Sequence, residues 1–87
     1  MKLSKQALDH FGELNQLDKA QEELGELITA LARWRADRST DKAIAVIDEI
    51  ADVTIITDQL REIFGRWECE EQTKHKQKRL EEKLGIL

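Results

Sequence analysis

The sequence predicts an all-α fold, a compact bundle of three to four helices, and three observations carry that prediction. Its 87 residues include no proline and only four glycines, so little in the chain interrupts a helix. Ala, Leu, Glu, Lys, Arg and Gln dominate the composition, and all favour helical backbone. Apolar residues recur three and four positions apart, which lines them up on one side of a helix. At this length a single core is close to the smallest that sustains itself, so one domain, 1–87, completed by self-association is expected.

The first helix is expected over 4–13, with Leu3, Ala7, Leu8, Phe11 and Leu14 on its buried face. Gly12 and Asn15 mark its end or a bend into the next segment. The second helix, 15–36, carries Leu17, Ala20, Leu24, Leu27, Ile28, Leu31 and Trp34 as a stripe over several turns. Asp37 to Asp41 is the clearest break, because Ser39 or Thr40 suits an N-cap and Asp41 suits the positive end of the helix that follows. So short a connection makes the flanking helices antiparallel neighbours. The third helix, 41–64, is apolar almost all round, with Ile44, Ile47, Ala51 and Ile55 on one side and Val46, Ile50, Val53, Leu60 and Phe64 on the other. Such a helix touches partners on more than one face. Gly65 is a natural stop, and a final helix runs to about residue 84 through the basic run Lys74 to Arg79, with apolar residues at Leu80, Leu84 and Leu87.

Composition also excludes functions. A net charge of −4 argues against binding a nucleic-acid polymer, which needs a basic surface. The longest apolar-rich segment, 43–57, is too short to span a bilayer and contains Asp48, Glu49 and Asp52. Cys69 is the sole cysteine and no secretory leader pattern opens the chain, so a cytoplasmic location is expected. His10 and His75 lie far apart and lack ligand spacing, which disfavours zinc. No Ser-His-Asp arrangement and no glycine-rich phosphate loop is present.

What stands out is a set of carboxylates inside apolar helices. Glu23 and Glu26 share one face of the second helix, as Glu49 and Asp52 share one face of the third. At 100° per residue, Glu23 falls at the margin of the apolar stripe, about 40° beyond Leu27, where it reaches a neighbouring helix while keeping access to solvent. Glu49 and Asp52 share their side with Ala45, Ile56 and Ile63. Between Ala43 and Leu60 the acids Asp48, Glu49, Asp52 and Asp58 meet no base, so their counter-charge must come from another helix or a metal. Carboxylates from two antiparallel helices offer the hard oxygen ligands that Mg²⁺ or Mn²⁺ prefers, with positions left for water and phosphates. Taken singly, each acidic pair also fits an ordinary solvated face.

The pattern E-E-x-x-E followed after a gap by E-x-x-D resembles the MazG-like nucleotide pyrophosphohydrolases of the all-α NTP pyrophosphatase superfamily. Lys19-Ala20-Gln21-Glu22-Glu23-Leu24-Gly25-Glu26-Leu27 and Asp48-Glu49-Ile50-Ala51-Asp52-Val53 are similar to its two motif blocks, and the short chain is most like the small phage and bacterial members. The resemblance implies a four-helix-bundle-like fold and Mg²⁺-dependent hydrolysis of a nucleoside triphosphate to its monophosphate and pyrophosphate. Glu23, Glu26, Glu49 and Asp52 would be metal ligands. Glu22, Glu23 and Glu49 would serve catalysis, Glu22 by holding a second ion or orienting water, unless it simply faces solvent. Lys19, Lys76 and Arg79 would bind phosphates, although Lys74 to Arg79 also fits a solvated face. Trp34 would stack on a base or fill the core, and Trp67 would cover the bundle or a subunit contact. A homodimer or homotetramer is expected. Two other readings fit the same residues: a nucleotide-binding regulator with little turnover, and a structural module whose acids pair with a partner's bases. Longer family members carry base-selecting loops without evident counterpart in this chain, so base and sugar preference is not readable.

Overall fold

Four helices make up the architecture in the computed structural model, which describes residues 2–86: α1 (Lys2–Phe11), α2 (Glu13–Ala36), α3 (Thr40–Phe64) and α4 (Arg66–Leu84). Leu87, expected on the last apolar face, lies outside the described residues. The all-α expectation holds, and the helices begin and end within about two residues of their expected limits.

Each boundary has a chemical cause. Gly12 takes φ 90° and ψ 149° between α1 and α2, a conformation that costs glycine little and other residues much. Its amide still donates to the Leu8 carbonyl at 2.9 Å, so α1 closes before the chain turns. Ser39 is the cap of α3: its hydroxyl accepts from the Lys42 amide at 3.3 Å. Gly65, with φ 110° and ψ 113°, separates α3 from α4 in a single residue.

The three-residue connection folds α3 back along α2, and this antiparallel pair is the body of the structure. Among the described residues α1 packs on both α2 and α3, whereas α4 touches only α3. One polar cluster ties three helices together. Arg66, at the start of α4, donates through both terminal nitrogens to Asp58 of α3 at 2.8 and 3.0 Å. Ser4 of α1 donates to the same Asp58 carboxylate, and Arg66 also pairs with Glu62. For Asp58, the counter-charge comes from another helix. The guanidinium and the Ser4 hydroxyl hold the Asp58 carboxyl well below the ordinary range, and Asp58 in turn raises Arg66.

The apolar core is thin, and here the structure departs from the expected burial. Among the described residues only Ala20, Ala30 and Ile56 are buried apolar side chains. Leu3, Phe11 and Leu14 are exposed, and it is Ser4 that α1 buries. Ile28 of α2, Ile47 of α3 and Trp67 of α4 stand 68%, 66% and 70% exposed in the single chain. The physical reason is the shape. With extents of 39 × 37 × 17 Å, the molecule is flat, no more than about two helix layers deep. So shallow a body leaves the outward faces of its helices uncovered.

Candidate metal centre

The register of the α2–α3 pair is set by a polar contact. Gln16 donates its amide to the Gln59 side-chain oxygen at 2.7 Å, and both residues are buried. Seven residues further along α2 is Glu23, and seven residues back along α3 is Asp52. One turn on, Glu26 comes opposite Glu49, then Ala30 opposite Ala45, and Arg33 opposite Lys42. Every pair steps equally outward from the turn between Asp37 and Arg38, as antiparallel helices require.

Glu23, Glu49 and Asp52 converge. One carboxylate oxygen from each lies within 4.8 Å of the other two. Glu23 is only 6% exposed, so it sits in the middle of the helix pair rather than at the solvated margin expected from the helical wheel. Its Oε1 receives the Lys19 ammonium at 2.9 Å. Its Oε2, and the Oε2 of Glu49, are enclosed without a hydrogen-bond partner. An enclosed anionic oxygen with no donor costs free energy, and here two of them sit in one carboxylate cluster. Enclosure raises the Glu49 carboxyl above its ordinary range, and the charges of Glu26, Asp52, Glu23 and Asp48 push the same way. Lys19 is held above its usual value by its hydrogen bond to Glu23 and by the nearby charge of Glu22.

The donor set fits a hard divalent cation. It is all carboxylate oxygen, with no nitrogen or sulfur, and two of its oxygens lack a donor. Mg²⁺ and Mn²⁺ take such ligands. Zinc fits poorly, because Cys69 lies on α4 outside this group.

The other expected site residues fall into two groups. Glu26 and Glu22 are exposed, and with Glu49 they line a cavity of about 560 Å³ that adjoins the carboxylate group between α2 and α3. Lys19 reaches the group through Glu23. Trp34 does not line that cavity; it is half-buried, with the Arg38 guanidinium 4.3 Å from its ring centre. Lys76 lines a different trough, of about 490 Å³, with Leu60, Arg61, Phe64 and Cys69 where α4 leaves α3. Arg79 lies exposed one turn further along α4. Neither lines the carboxylate cavity.

Two residues that motif reading passed over do line it: Arg33 and Lys42. Counting equal steps outward from the 37–38 turn would have placed them together. Asp58 and Arg66 were likewise not paired from sequence, since their meeting depends on how Gly65 turns the chain. Comparison of the chain with protein-family models, with curated proteins and with solved structures gave no match.

Proposed function

We propose that this chain is a Mg²⁺-dependent nucleoside triphosphate pyrophosphohydrolase of the MazG-like kind, releasing a nucleoside monophosphate and pyrophosphate. One observation carries the reading: Glu23, Glu49 and Asp52 gather within 4.8 Å, with two enclosed oxygens that have no partner. These three, with Glu26 one turn on, are the residues that would hold the metal. When bound, Mg²⁺ supplies neutralisation of the phosphate charge and activation of water. Glu23 and Lys19 form one wall of the centre, and their ion pair keeps the Glu23 carboxylate oriented. Glu49, whose carboxyl is raised by its surroundings, is suited to accept a proton from a nearby water. Glu22, which lines the cavity, would orient that water or hold a second ion.

Self-association belongs to the same reading. The chain exposes 6848 Å², about 1,500 Å² more than the roughly 5,300 Å² of a folded monomer of this mass. That excess is of the size one subunit buries in an obligate dimer, about 1,000–2,500 Å². A homodimer or homotetramer would cover the isoleucines of α2 and α3 and bring a second basic α4 nearby. Lys76 and Arg79 would then bind phosphates from the partner's side, and Trp34 would contact the base. The lone thiol of Cys69 suits a reducing compartment, and we assign the enzyme to the cytoplasm.

The test is to incubate the purified protein with ordinary and modified NTPs and dNTPs plus Mg²⁺ and to measure pyrophosphate and monophosphate. Glu49→Gln and Glu23→Gln are run in parallel. Release of orthophosphate and diphosphate instead, or full activity in both variants, would refute the reading. Nucleotide binding without pyrophosphate release would leave a regulator of the same fold.

A further inference from the structure

The cavity beside the carboxylate group changes charge along its length. Glu22, Glu26 and Glu49 line one end. Ala30, opposite Ala45, forms a middle layer too small to close the space, and about 560 Å³ stays open. Arg33 and Lys42 form the far end, one from each helix, with Asp41 as the acid beside them. Each cation stands seven residues from its glutamate, Glu26 or Glu49, which is about 10 Å along a helix.

Neither cation has an ion pair among the described residues. Two positive side chains facing one cavity repel each other, and a bound anion reverses that repulsion. The guanidinium offers a planar fork that matches phosphate oxygens, and the ammonium adds a mobile point charge. The sequence resemblance implies phosphate binding by Lys19, beside Glu23, and by Lys76 with Arg79 on α4. Arg33 and Lys42 share a cavity with Glu22, Glu26 and Glu49, which Lys76 does not, whereas Lys19 lines a smaller hollow with Glu23 and Asp52.

We infer that Arg33 and Lys42 hold a phosphate of the ligand at the end of the α2–α3 cavity remote from the carboxylates. The ligand class is a polyphosphate laid lengthwise, one phosphate group toward the metal ligands and another between the two cations. This rests on the pyrophosphohydrolase reading for the metal end, and it adds the second anchor. The long Arg and Lys side chains, and metal–oxygen bonds of about 2 Å, shorten the gap that the phosphate chain must bridge.

Calorimetric titration of the full chain in Mn²⁺ tests the assignment, with inorganic tripolyphosphate and a nucleoside triphosphate as separate probes. Arg33→Gln, Lys42→Gln and the double variant are compared with wild type, and Mn²⁺ binding is titrated alone as a control. The double variant is expected to lose about tenfold or more in affinity for both probes, with Mn²⁺ affinity and melting temperature unchanged. Arg33→Lys should restore part of the loss. Unchanged tripolyphosphate affinity, or no tripolyphosphate binding by wild type, overturns the inference. A loss confined to the nucleoside triphosphate also overturns it, because the cations would then read the base. The two proposals fail separately. Wild type that binds tripolyphosphate through Arg33 and Lys42 but releases no pyrophosphate removes only the hydrolase reading. Wild type that hydrolyses NTPs with a KM unaltered in the double variant removes only this one.

Discussion

Gln16 and Gln59 are joined across the α2–α3 interface by a buried hydrogen bond of 2.7 Å, and that bond sets which residues meet along the pair. Leucine at either position alone would leave the other amide without its partner in a closed space. We expect Gln16→Leu or Gln59→Leu to cost about 1–3 kcal/mol, and the double variant to recover much of it. Urea unfolding of the four proteins as a double-mutant cycle measures the coupling. Additive losses would show that the amides act independently.

The crowded carboxylates predict a reversal between metal-free and metal-bound protein. Without metal, Glu49→Gln should raise the melting temperature, because it removes a charge that Glu26, Asp52, Glu23 and Asp48 oppose. With saturating Mn²⁺ the order should invert, wild type gaining about 4 °C or more and the variant little. Pyrophosphate release by Glu23→Gln should fall at least about a hundredfold, since loss of even an outer partner of a metal typically costs about 10–100-fold. Scanning calorimetry with and without Mn²⁺ checks the inversion.

Acid sensitivity should trace to Asp58. Its carboxyl is held below the ordinary range by Arg66 and Ser4, so the folded state favours the charged form. The resulting stability is fully present above the unfolded value of about 3.9 and is lost as pH falls below it toward the depressed folded value. Asp58→Asn should destabilise the protein at neutral pH and flatten the stability profile below about pH 4. Denaturant midpoints across pH 2.5–7, wild type against variant, test the sign; a parallel offset at every pH would contradict it.

The proposed self-association should be broken by a single charge. Ile47→Lys, at a position 66% exposed in the single chain, puts an ammonium where a partner would bury isoleucine. Sedimentation velocity at micromolar concentration should show wild type as a dimer or larger and the variant as a smaller species with retained helical circular dichroism. A monomeric wild type would refute the assembly.

Local chemistry made much of this structure legible. Glycines 12 and 65 and the Ser39 cap act within a few residues of themselves, so helix limits could be read from them. Acids without nearby bases in α3 announced that something must answer them, and for Asp58 that something is Arg66. Burial was less legible: the stripes of α1, α2 and α3 are real, but burial depends on how helices are laid against one another. Three-and-four spacing cannot say that Ser4 goes inside while Leu3 stays out. The cationic end of the cavity escaped notice because Arg33 and Lys42 belong to no short motif. They become neighbours only once the helix pair has a register.

Gly65 makes α4 a lever with its fulcrum at one residue. α4 is anchored only to α3, and its 19 residues extend about 28 Å. A change of 10° at residue 65 would thus sweep Leu84 through about 5 Å. A side chain at 65 would be strained by φ 110°, and its Cβ would lie 2.7 Å from a Glu68 carboxylate oxygen. The aim of Lys76 and Arg79 therefore depends on one backbone angle together with the Arg66 ion pairs near it, and Gly65→Ala should redirect the basic arm while leaving the carboxylate group between α2 and α3 intact.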